Sequence, residues 1–288
     1  MTELADAIAR GLVTGAVYGL IVLPFIFLWR STRVICLSQA QISIFAALIT
    51  INVGANFAGA GLALAIGLGL GIVTYAIAVF PVRRHGDEDF HGTLVSTLAL
   101  GLLIQALLLA VYGGLAQVGS TPFGSPEFTL FTGTSFSYYS WGLVALCLLA
   151  GIGASLFLSR SDLGVQWRAI GDDRILASVR GIRVTRMELI CFVVGGVASA
   201  AVGFLVASQL PIRADAGLGF ALKAFLVMGF VGLDRPWAGA VGGLALGVGE
   251  AILLDHVTAS LTSVLLVGAL IVWLLMKGGV SARAVREF

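Results

Sequence analysis

Long apolar segments, separated by short polar connections, fill nearly the whole chain. Several reach the roughly 20 residues that an α-helix needs to cross a hydrocarbon core of about 30 Å, whereas a transmembrane β-barrel would show alternating segments of about ten residues. The pattern therefore predicts an all-α, polytopic membrane protein with about eight or nine transmembrane helices. The predicted spans lie near residues 11–29, 34–53, 59–81, 92–113, 138–158, 187–209, 217–233, 237–254 and 258–276.

Composition supports a membrane protein. Hydrophobic residues make up 59% of the chain, charged residues make up 11%, and the mean hydropathy is +1.04; these values exceed what a soluble domain needs to fill its core. The net charge is +2, and no basic run is interleaved with aromatic residues, so nucleic acid is not an expected partner. Cys36, Cys147 and Cys191 lie in or beside apolar segments without the spacing of a metal site, and we expect small buried hydrophobic residues rather than disulfides.

Basic residues indicate how the chain crosses the membrane. Connections rich in Lys and Arg stay in the cytoplasm, and here they alternate along the chain. They contain Arg30 and Arg33, Arg83 and Arg84, the segment 160–186, Arg235, and Lys277, Arg283 and Arg286. The longest opposite connection, residues 113–140, has one acidic residue and no Lys or Arg. We therefore expect that connection and the N-terminus outside, and the C-terminus inside.

Two predicted spans are unusual. The segment 217–233 is short and holds Lys223, and the segment 237–254 is rich in glycine and holds Glu250. Membrane helices that are short or broken by glycine are tolerated where they face other protein or a water-filled cavity. We therefore expect both segments to lie away from lipid.

The chain contains an internal repeat. AGAGLALAIGLGLGI at 58–72 and AGAVGGLALGVGEAI at 238–252 agree at eight of fifteen positions with an offset of 180 residues, and the same offset pairs Gly15 with Gly195. An odd number of crossings separates the copies, so they would insert upside down relative to each other, as in many transporters. We predict a single domain, 1–288, with repeat 1 at about 11–113, a linking span at 138–158, a cytoplasmic loop at 159–186 and repeat 2 at about 187–276.

A charged segment, residues 160–189, interrupts the apolar pattern and holds six of the seventeen Lys and Arg residues. Within it, GDDRILASVRG predicts a short helix, because Asp172 and Asp173 suit its start and Arg180 suits its end. Gly181 can adopt the left-handed conformation that ends a helix. The predicted helix has an apolar face formed by Ile175, Leu176 and Val179. Because so short a helix is marginal in water, this face needs a contact with its own bundle or with another protein. The alternative is an ordinary basic linker.

Three stretches resemble one known family. GVQWRAIGDDRILASVRGI resembles the cytoplasmic coupling loop of the branched-chain amino acid permease family of ATP-binding-cassette (ABC) importers. GLGFALKAFLVMGFVGLDRPWAGAVGGLALGVGEAI resembles the closing signature of that family, and GLVTGAVYGLIVL in the first span is a weaker match. The order of the apolar segments extends the likeness over nearly all of the chain.

The resemblance implies an ABC transporter permease domain in the bacterial plasma (inner) membrane. Its implied partners are membrane lipid, a second permease subunit in a homo- or heterodimer, two cytosolic ATP-binding subunits and an extracytoplasmic solute-binding protein. It also implies that this chain is no enzyme and holds no cofactor, since the partner subunits bind ATP and Mg; consistently, the sequence has no G-x-x-x-x-G-K-[S/T] motif to hold ATP phosphates. Contact with the ATPase is expected from Arg168, Asp172, Asp173, Ile175, Leu176, Val179, Arg180 and Gly181.

The family commonly carries a run resembling Asn-Phe-Ala-His-Gly-Glu after the first span, whereas this chain reads CLSQAQ at 36–41. These positions therefore offer neutral hydrogen bonds instead of a charge or an imidazole. In the repeat, this span corresponds to the short span that holds Lys223, and such paired segments point to a translocation pathway. We predict that the substrate pathway is lined by Ser38, Gln39, Gln41 and Ser43. The alternative is that these side chains join helices without contacting the solute.

Lys223 and Glu250 are charged residues well inside predicted spans, where each costs about 2.5–3.5 kcal/mol unless it is paired or hydrated. We predict an intramembrane ion pair between them, near the pathway and structural in role. The alternatives are that Lys223 snorkels towards water while Glu250 caps or anchors a neighbouring segment, and that the two residues contact the substrate.

Together these features predict the permease subunit of an ATP-driven importer for branched-chain or other hydrophobic amino acids, or for a related small solute. The alternative is a stand-alone secondary transporter, which the inverted repeat fits equally well but which has no use for a coupling helix. A membrane enzyme is not expected, because the sequence shows no nucleophile with a nearby base and no HExxH-like zinc pattern.

Overall fold

A computed structural model gives the fold for residues 2–84, 90–121, 127–129 and 135–255, and for the single positions 261, 265 and 268. The described helices are α1 (Thr2–Thr32), α2 (Ser38–Val53), α3 (Phe57–Val73), α4 (Phe80–Arg84), α5 (Phe90–Tyr112), α6 (Tyr138–Arg160), α7 (Asp162–Asp172), α8 (Arg174–Val179), α9 (Val184–Val206), α10 (Ala216–Val231) and α11 (Pro236–Leu254). A π-helical turn, Thr74–Val79, joins α3 to α4. Two short strands, β1 (Glu127–Thr129) and β2 (Ser135–Ser137), pair antiparallel.

Within the described residues, six helical segments are long and apolar enough to cross a membrane: Asp6–Thr32, Phe57–Arg83, Gly92–Tyr112, Tyr138–Arg160, Val184–Val206 and Pro236–Leu254. α2 and α10 are apolar but shorter, with 16 residues each. The prediction of an all-α polytopic membrane protein is confirmed, with the two short strands as an unpredicted detail. The predicted span 258–276 and the basic residues Lys277, Arg283 and Arg286 lie outside the continuously described residues.

Local sequence signals set several helix boundaries. α2 ends at Gly54, whose φ of +99° a residue with a side chain rarely adopts. The side chain of Asn56 then caps α3 by accepting a hydrogen bond from the backbone N–H of Gly59 at 2.9 Å. α10 ends at Gly232 in the same way, with φ +94°, and Pro236 begins α11, where its missing N–H costs nothing.

Helices α1 and α11 pack backbone against backbone. A Cβ atom added to Gly15 of α1 would lie 2.7 Å from Leu244 Cα, and one added to Gly247 of α11 would overlap Gly15. Two helices approach this closely only where both lack side chains at the contact. The contact helps to make α1 the most enclosed of the six long spans, since 83% of the residues in its apolar 18-residue stretch are buried.

Helices α3 and α9 make a similar contact, because a Cβ atom added to Gly67 would lie 2.6 Å from Gly196 O. With the offset of 180 residues, Gly67 corresponds to Gly247, and α9 corresponds to α1. Two positions further along α3 and α11 lie Gly69 and Gly249, where an added Cβ atom would meet no described atom within 4 Å. The two copies thus place corresponding glycines alike. This likeness supports the inverted repeat, which we retain as a proposal.

α2 runs through the interior of the bundle. Every residue from Ser38 to Thr50 is buried except Phe45, and α2 contacts α3, α5, α9 and α10. α10 and α11 instead bury one face and expose the other, as the half-exposed side chains of Leu222 and Val241 show. The structure buries the inner faces of both helices, and the expectation that they lie away from lipid stays a prediction.

Candidate functional site

Gln39 lies at the centre of the bundle with no exposed surface. Its Oε1 accepts a hydrogen bond of 2.6 Å from the hydroxyl of Ser199 on α9, and its Nε2 lies 3.8 Å from Cys36 Sγ. Both ends of the amide are therefore engaged by the chain itself. This placement favours the alternative in which Gln39 joins two helices.

Ser38 and Ser43 are also turned into the protein. The hydroxyl of Ser38 lies 3.1 Å from Cys36 Sγ and 3.5 Å from Thr74 Oγ1. The hydroxyl of Ser43 donates to Gln39 O in its own helix at 3.3 Å and borders a small cavity of about 10 Å³ lined mostly by apolar side chains. Each hydroxyl therefore has a partner within the chain itself.

Gln41 is the predicted pathway residue with an unused polar atom. Its Nε2 donates to Gln105 Oε1 on α5 at 2.8 Å, while its own Oε1 is buried and finds no hydrogen-bond donor among the described residues. Both glutamines line a narrow pocket of about 10 Å³, which is room for about one water molecule. The pocket lies between α2, α5 and α10, and its other lining residues are Leu37, Leu98, Gly101, Leu102, Leu218 and Ala221.

Glycine makes room for Gln41 on α10. A Cβ atom added to Gly217 would lie 2.5 Å from Gln41 Nε2, so only glycine allows the amide to take this position. Gln105 was not among the residues predicted from the sequence. Its signal was present, since it is the single glutamine of the apolar span predicted at 92–113.

The structure brings Lys223 and Glu250 together across α10 and α11. Lys223 Nζ lies 2.7 Å from Glu250 Oε1, and only 27% and 10% of the two side chains is exposed. Tyr18 of α1 completes the group: its hydroxyl accepts a hydrogen bond from Lys223 Nζ, which also lies 4.3 Å from the centre of the tyrosine ring. The pairing lowers the cost of holding two charges at membrane depth.

Within the described residues, no three His, Cys, Asp or Glu side chains are placed to hold a metal ion, and the three cysteines are buried and free.

α7 lies across the ends of the spans that precede and follow it. Trp167 is almost wholly buried; its indole N–H donates to Met187 O at 3.1 Å, and its ring packs against Phe27 and Phe157. At the end of the helix, a Cβ atom on Gly171 would overlap Arg30 O. α7 is thus fixed to the bundle by close packing.

α8 follows directly, in the position predicted for the short helix. Asp173 caps it by accepting a hydrogen bond from the backbone N–H of Leu176 at 2.8 Å, and Gly181, with φ +85°, follows its end at Arg180. Its buried side is marked by Ala177, which is 2% exposed. Its opposite face is open, and the exposed fractions are 73% for Ile175, 48% for Leu176 and 77% for Val179. The predicted apolar face therefore does not pack on its own bundle.

Two polar residues of the predicted ATPase contact bond to the chain's own spans. Asp172 accepts a hydrogen bond of 2.9 Å from Arg30 at the end of α1, and this bond holds the pKa of Asp172 below its ordinary value. Arg168 donates to Ser159 O at 3.2 Å. These two side chains hold the charged segment to the spans, whereas Arg180 is exposed beside the apolar face.

Comparison with known proteins places the chain among transport proteins. A family model described as "Branched-chain amino acid transport system / permease component" matches residues 7–275. The chain is similar to the high-affinity branched-chain amino acid transport system permease protein BraD of Pseudomonas aeruginosa, with 31% identity over 147 residues, which cover 50% of this chain and 48% of that protein.

Two further relatives are named LivH. The chain is 25% identical over 211 residues to a probable branched-chain amino acid transport permease protein of Methanocaldococcus jannaschii, covering 71% of this chain and 65% of that protein. It is 28% identical over 152 residues to the high-affinity branched-chain amino acid transport system permease protein of Escherichia coli K12, covering 52% and 48%. The chain thus spans about half to two thirds of the length of these relatives. No solved structure matches it.

Proposed function

Because this chain belongs to the family of branched-chain amino acid transport permeases, we propose that it is the membrane-spanning subunit of an ATP-driven importer. It forms the translocation pathway for a branched-chain amino acid or a similar small apolar amino acid. Two cytosolic subunits bind ATP and Mg and supply the hydrolysis. A second permease subunit and an extracytoplasmic binding protein complete the complex.

The observation that carries this proposal is the open apolar face of α8. Three large apolar side chains, Ile175, Leu176 and Val179, are about half to three quarters exposed, although the segment around them is charged. Water does not favour such a face on a six-residue helix, and lipid does not favour the arginines beside it. A groove on a cytosolic ATPase subunit satisfies both, because it can bury the apolar face and leave the charges at its rim.

The same feature separates the proposal from its alternative. A stand-alone secondary transporter moves its helices without a cytosolic ATPase subunit and needs no exposed docking helix. The proposal also fixes the orientation: α8 lies in the cytoplasm, the N-terminus lies outside and the C-terminus lies inside, as the distribution of basic residues predicts.

For the pathway, we place the solute contact at Gln41 and Gln105. Gln41 has a buried oxygen without a donor among the described residues and lies at a pocket between three helices. A neutral amide can bind the ammonium or carboxylate of an amino acid without adding a fixed charge to the membrane. The Lys223–Glu250 pair is structural in this proposal, since its charges neutralise each other.

A single substitution on α8 tests the proposal. We expect Leu176→Asp to leave the chain inserted at wild-type yield and to lower the amount of co-purifying ATPase subunit by about tenfold or more, because a charge would be buried at the centre of a packed contact. The measurement is the ratio of ATPase subunit to tagged permease after purification of the complex from membranes.

Ser178→Asp is the matched control. Ser178 is exposed on the same helix, and it lies beside the apolar face instead of within it, so it adds the same charge without entering the contact. Retention of the ATPase by both variants at the wild-type ratio would show that α8 is not the docking helix.

A further inference from the structure

Glu188, near the start of α9, is charged but has no exposed surface. Its carboxylate forms an ion pair with Arg83 and a second one with Arg174, whose Nε lies 3.2 Å from Oε1. The hydroxyl of Tyr75 donates to the other carboxylate oxygen at 3.3 Å. We refer to these four side chains as the Glu188 cluster. A buried carboxylate is stable only with such partners.

Each member of the Glu188 cluster belongs to a different part of the fold. Arg174 is the first residue of α8, Tyr75 lies in the π-helical turn after α3, Arg83 lies in α4, and Glu188 lies in α9. Arg83 also donates to Thr32 O at 2.7 Å, at the end of α1. The cluster therefore joins α8 to the ends of three membrane-spanning segments.

α8 has two faces with different contacts. Ile175, Leu176 and Val179 point outwards, whereas Ala177 is buried and Arg174 reaches inwards to Glu188. A helix of six residues moves as one unit. A protein that binds the outer face thus acts on the spans through the inner face, where Arg174 pairs with Glu188.

The cluster leads towards the proposed pathway. Tyr75 lies in the π-helical turn Thr74–Val79, and such turns are rare and often occur where a helix has a functional role. Its neighbour Thr74 lies 3.5 Å from the hydroxyl of Ser38. Ser38 begins α2, the helix that carries Gln41. A shift of the turn therefore reaches the start of the pathway helix.

We propose that the Glu188 cluster transmits the movement of α8 to the pathway, with Arg174 and Glu188 as positioning residues. This inference rests on the proposed function. Ion pairs of arginine with carboxylate are directional and charge-assisted, so a displacement of Arg174 shifts its partners instead of being absorbed by a flexible contact. Binding at the outer face of α8 thereby changes the arrangement of α2, α3 and α9.

The test is Arg174→Gln in the assembled complex in proteoliposomes, with leucine as the solute. This change leaves Glu188 paired with Arg83 and Tyr75, so folding should be retained. We expect ATP hydrolysis to continue while the leucine imported per ATP falls by about fivefold or more, the lower end of ordinary coupling between distant sites. Arg174→Lys keeps the charge and should restore most of the ratio. A role in folding alone would lower yield and leave the ratio unchanged.

Arg186→Gln is the matched control, because it removes an exposed charge near the start of α9. An unchanged ratio in Arg174→Gln, or an equal loss in Arg186→Gln, overturns the inference. Should Arg174→Gln fail to assemble, Tyr75→Phe replaces it: this variant removes one hydroxyl from the cluster and keeps the ring and both ion pairs. It too should lower the ratio, and a wild-type ratio in Tyr75→Phe overturns the inference.

Hydrogen exchange separates a failure of this inference from a failure of the proposed function. A wild-type complex that imports none of leucine, isoleucine, valine and alanine with ATP refutes the proposed function. The link within the chain is then measured as amide exchange of residues 74–79, which Arg174→Gln should increase and Arg186→Gln should leave unchanged. Equal exchange in both variants overturns the inference.

Discussion

Lys223, Glu250 and Tyr18 show how a membrane protein keeps charges within its spans. The three residues lie on α10, α11 and α1, and the ammonium contacts both the carboxylate and the tyrosine. Glu250 Oε2 is buried and has no hydrogen-bond partner among the described residues, so the carboxylate depends mainly on Lys223. The group therefore fixes the relative position of three helices as long as both charges are present.

This dependence predicts an asymmetry between single and double variants. Glu250→Gln leaves Lys223 charged without its partner, and we expect it to destabilise the fold by about 3 kcal/mol, the lower end for breaking a buried pair, since Lys223 keeps some exposure. Glu250→Gln combined with Lys223→Met should recover part of this loss. Thermal unfolding of the purified chain measures both effects, and additive losses would mean that the two residues do not interact.

Leucine substitutions at the two glutamines of α2 should have different effects on transport and stability. Gln41→Leu removes the polar atom at the pocket, and we expect a loss of transport that depends on the solute at normal assembly. Gln39→Leu breaks the bond to Ser199 and should instead reduce stability by about 0.5–1.5 kcal/mol, with the same fractional loss for every solute. Transport of leucine and of alanine by complexes matched for yield distinguishes these outcomes. A solute-dependent loss in Gln39→Leu alone would reverse the assignment.

At the scale of elements, close glycine contacts hold the two best-packed helix pairs, α1 with α11 and α3 with α9. Gly67 and Gly247 lie in these contacts, while Gly69 and Gly249 lie on the open sides of the same two helices. The four glycines belong to the two stretches from which we propose the repeat. They therefore allow the same experiment to be made once in each proposed copy.

We expect Gly67→Ala and Gly247→Ala to destabilise the protein by about 1–3 kcal/mol, because the added methyl group overpacks a backbone contact. Gly69→Ala and Gly249→Ala should be neutral or should stabilise by up to about 1 kcal/mol, since alanine favours the helix. The unfolding midpoints of the four variants in detergent provide the measurement. Different behaviour at corresponding positions would argue against the inverted repeat.

Sequence and structure agree best on elements with local signals. The boundaries of α8 follow from a capping aspartate and a left-handed glycine, and its apolar face is visible in the spacing of three residues. α7 was not predicted as a separate helix, although Ser161 caps it and Trp167 and Ile170 lie on one side. Its inner face is formed by few apolar residues within a charged segment, so hydropathy alone reads it as a loop.

At the scale of the whole molecule, several contacts between distant segments could not be predicted from the sequence. Tyr18, Gln105 and Glu188 each meet partners that lie 64 to 205 residues away along the chain. Which helices become neighbours depends on packing that no local pattern reveals. Glu188 was also hidden by its position at the edge of a predicted span, where a carboxylate is read as part of a loop.

The spacing of the α1 glycines restricts how this sequence can change in evolution. Gly11, Gly15 and Gly19 recur at every fourth position along the contact with α11. One residue inserted between the first two would turn the rest of α1 by about 100° and replace each later glycine at the contact by a side chain. A replacement of one neighbouring residue leaves all three in place. In evolution, replacements of the residues between these glycines should therefore be far more frequent than insertions or deletions that change how many residues separate them.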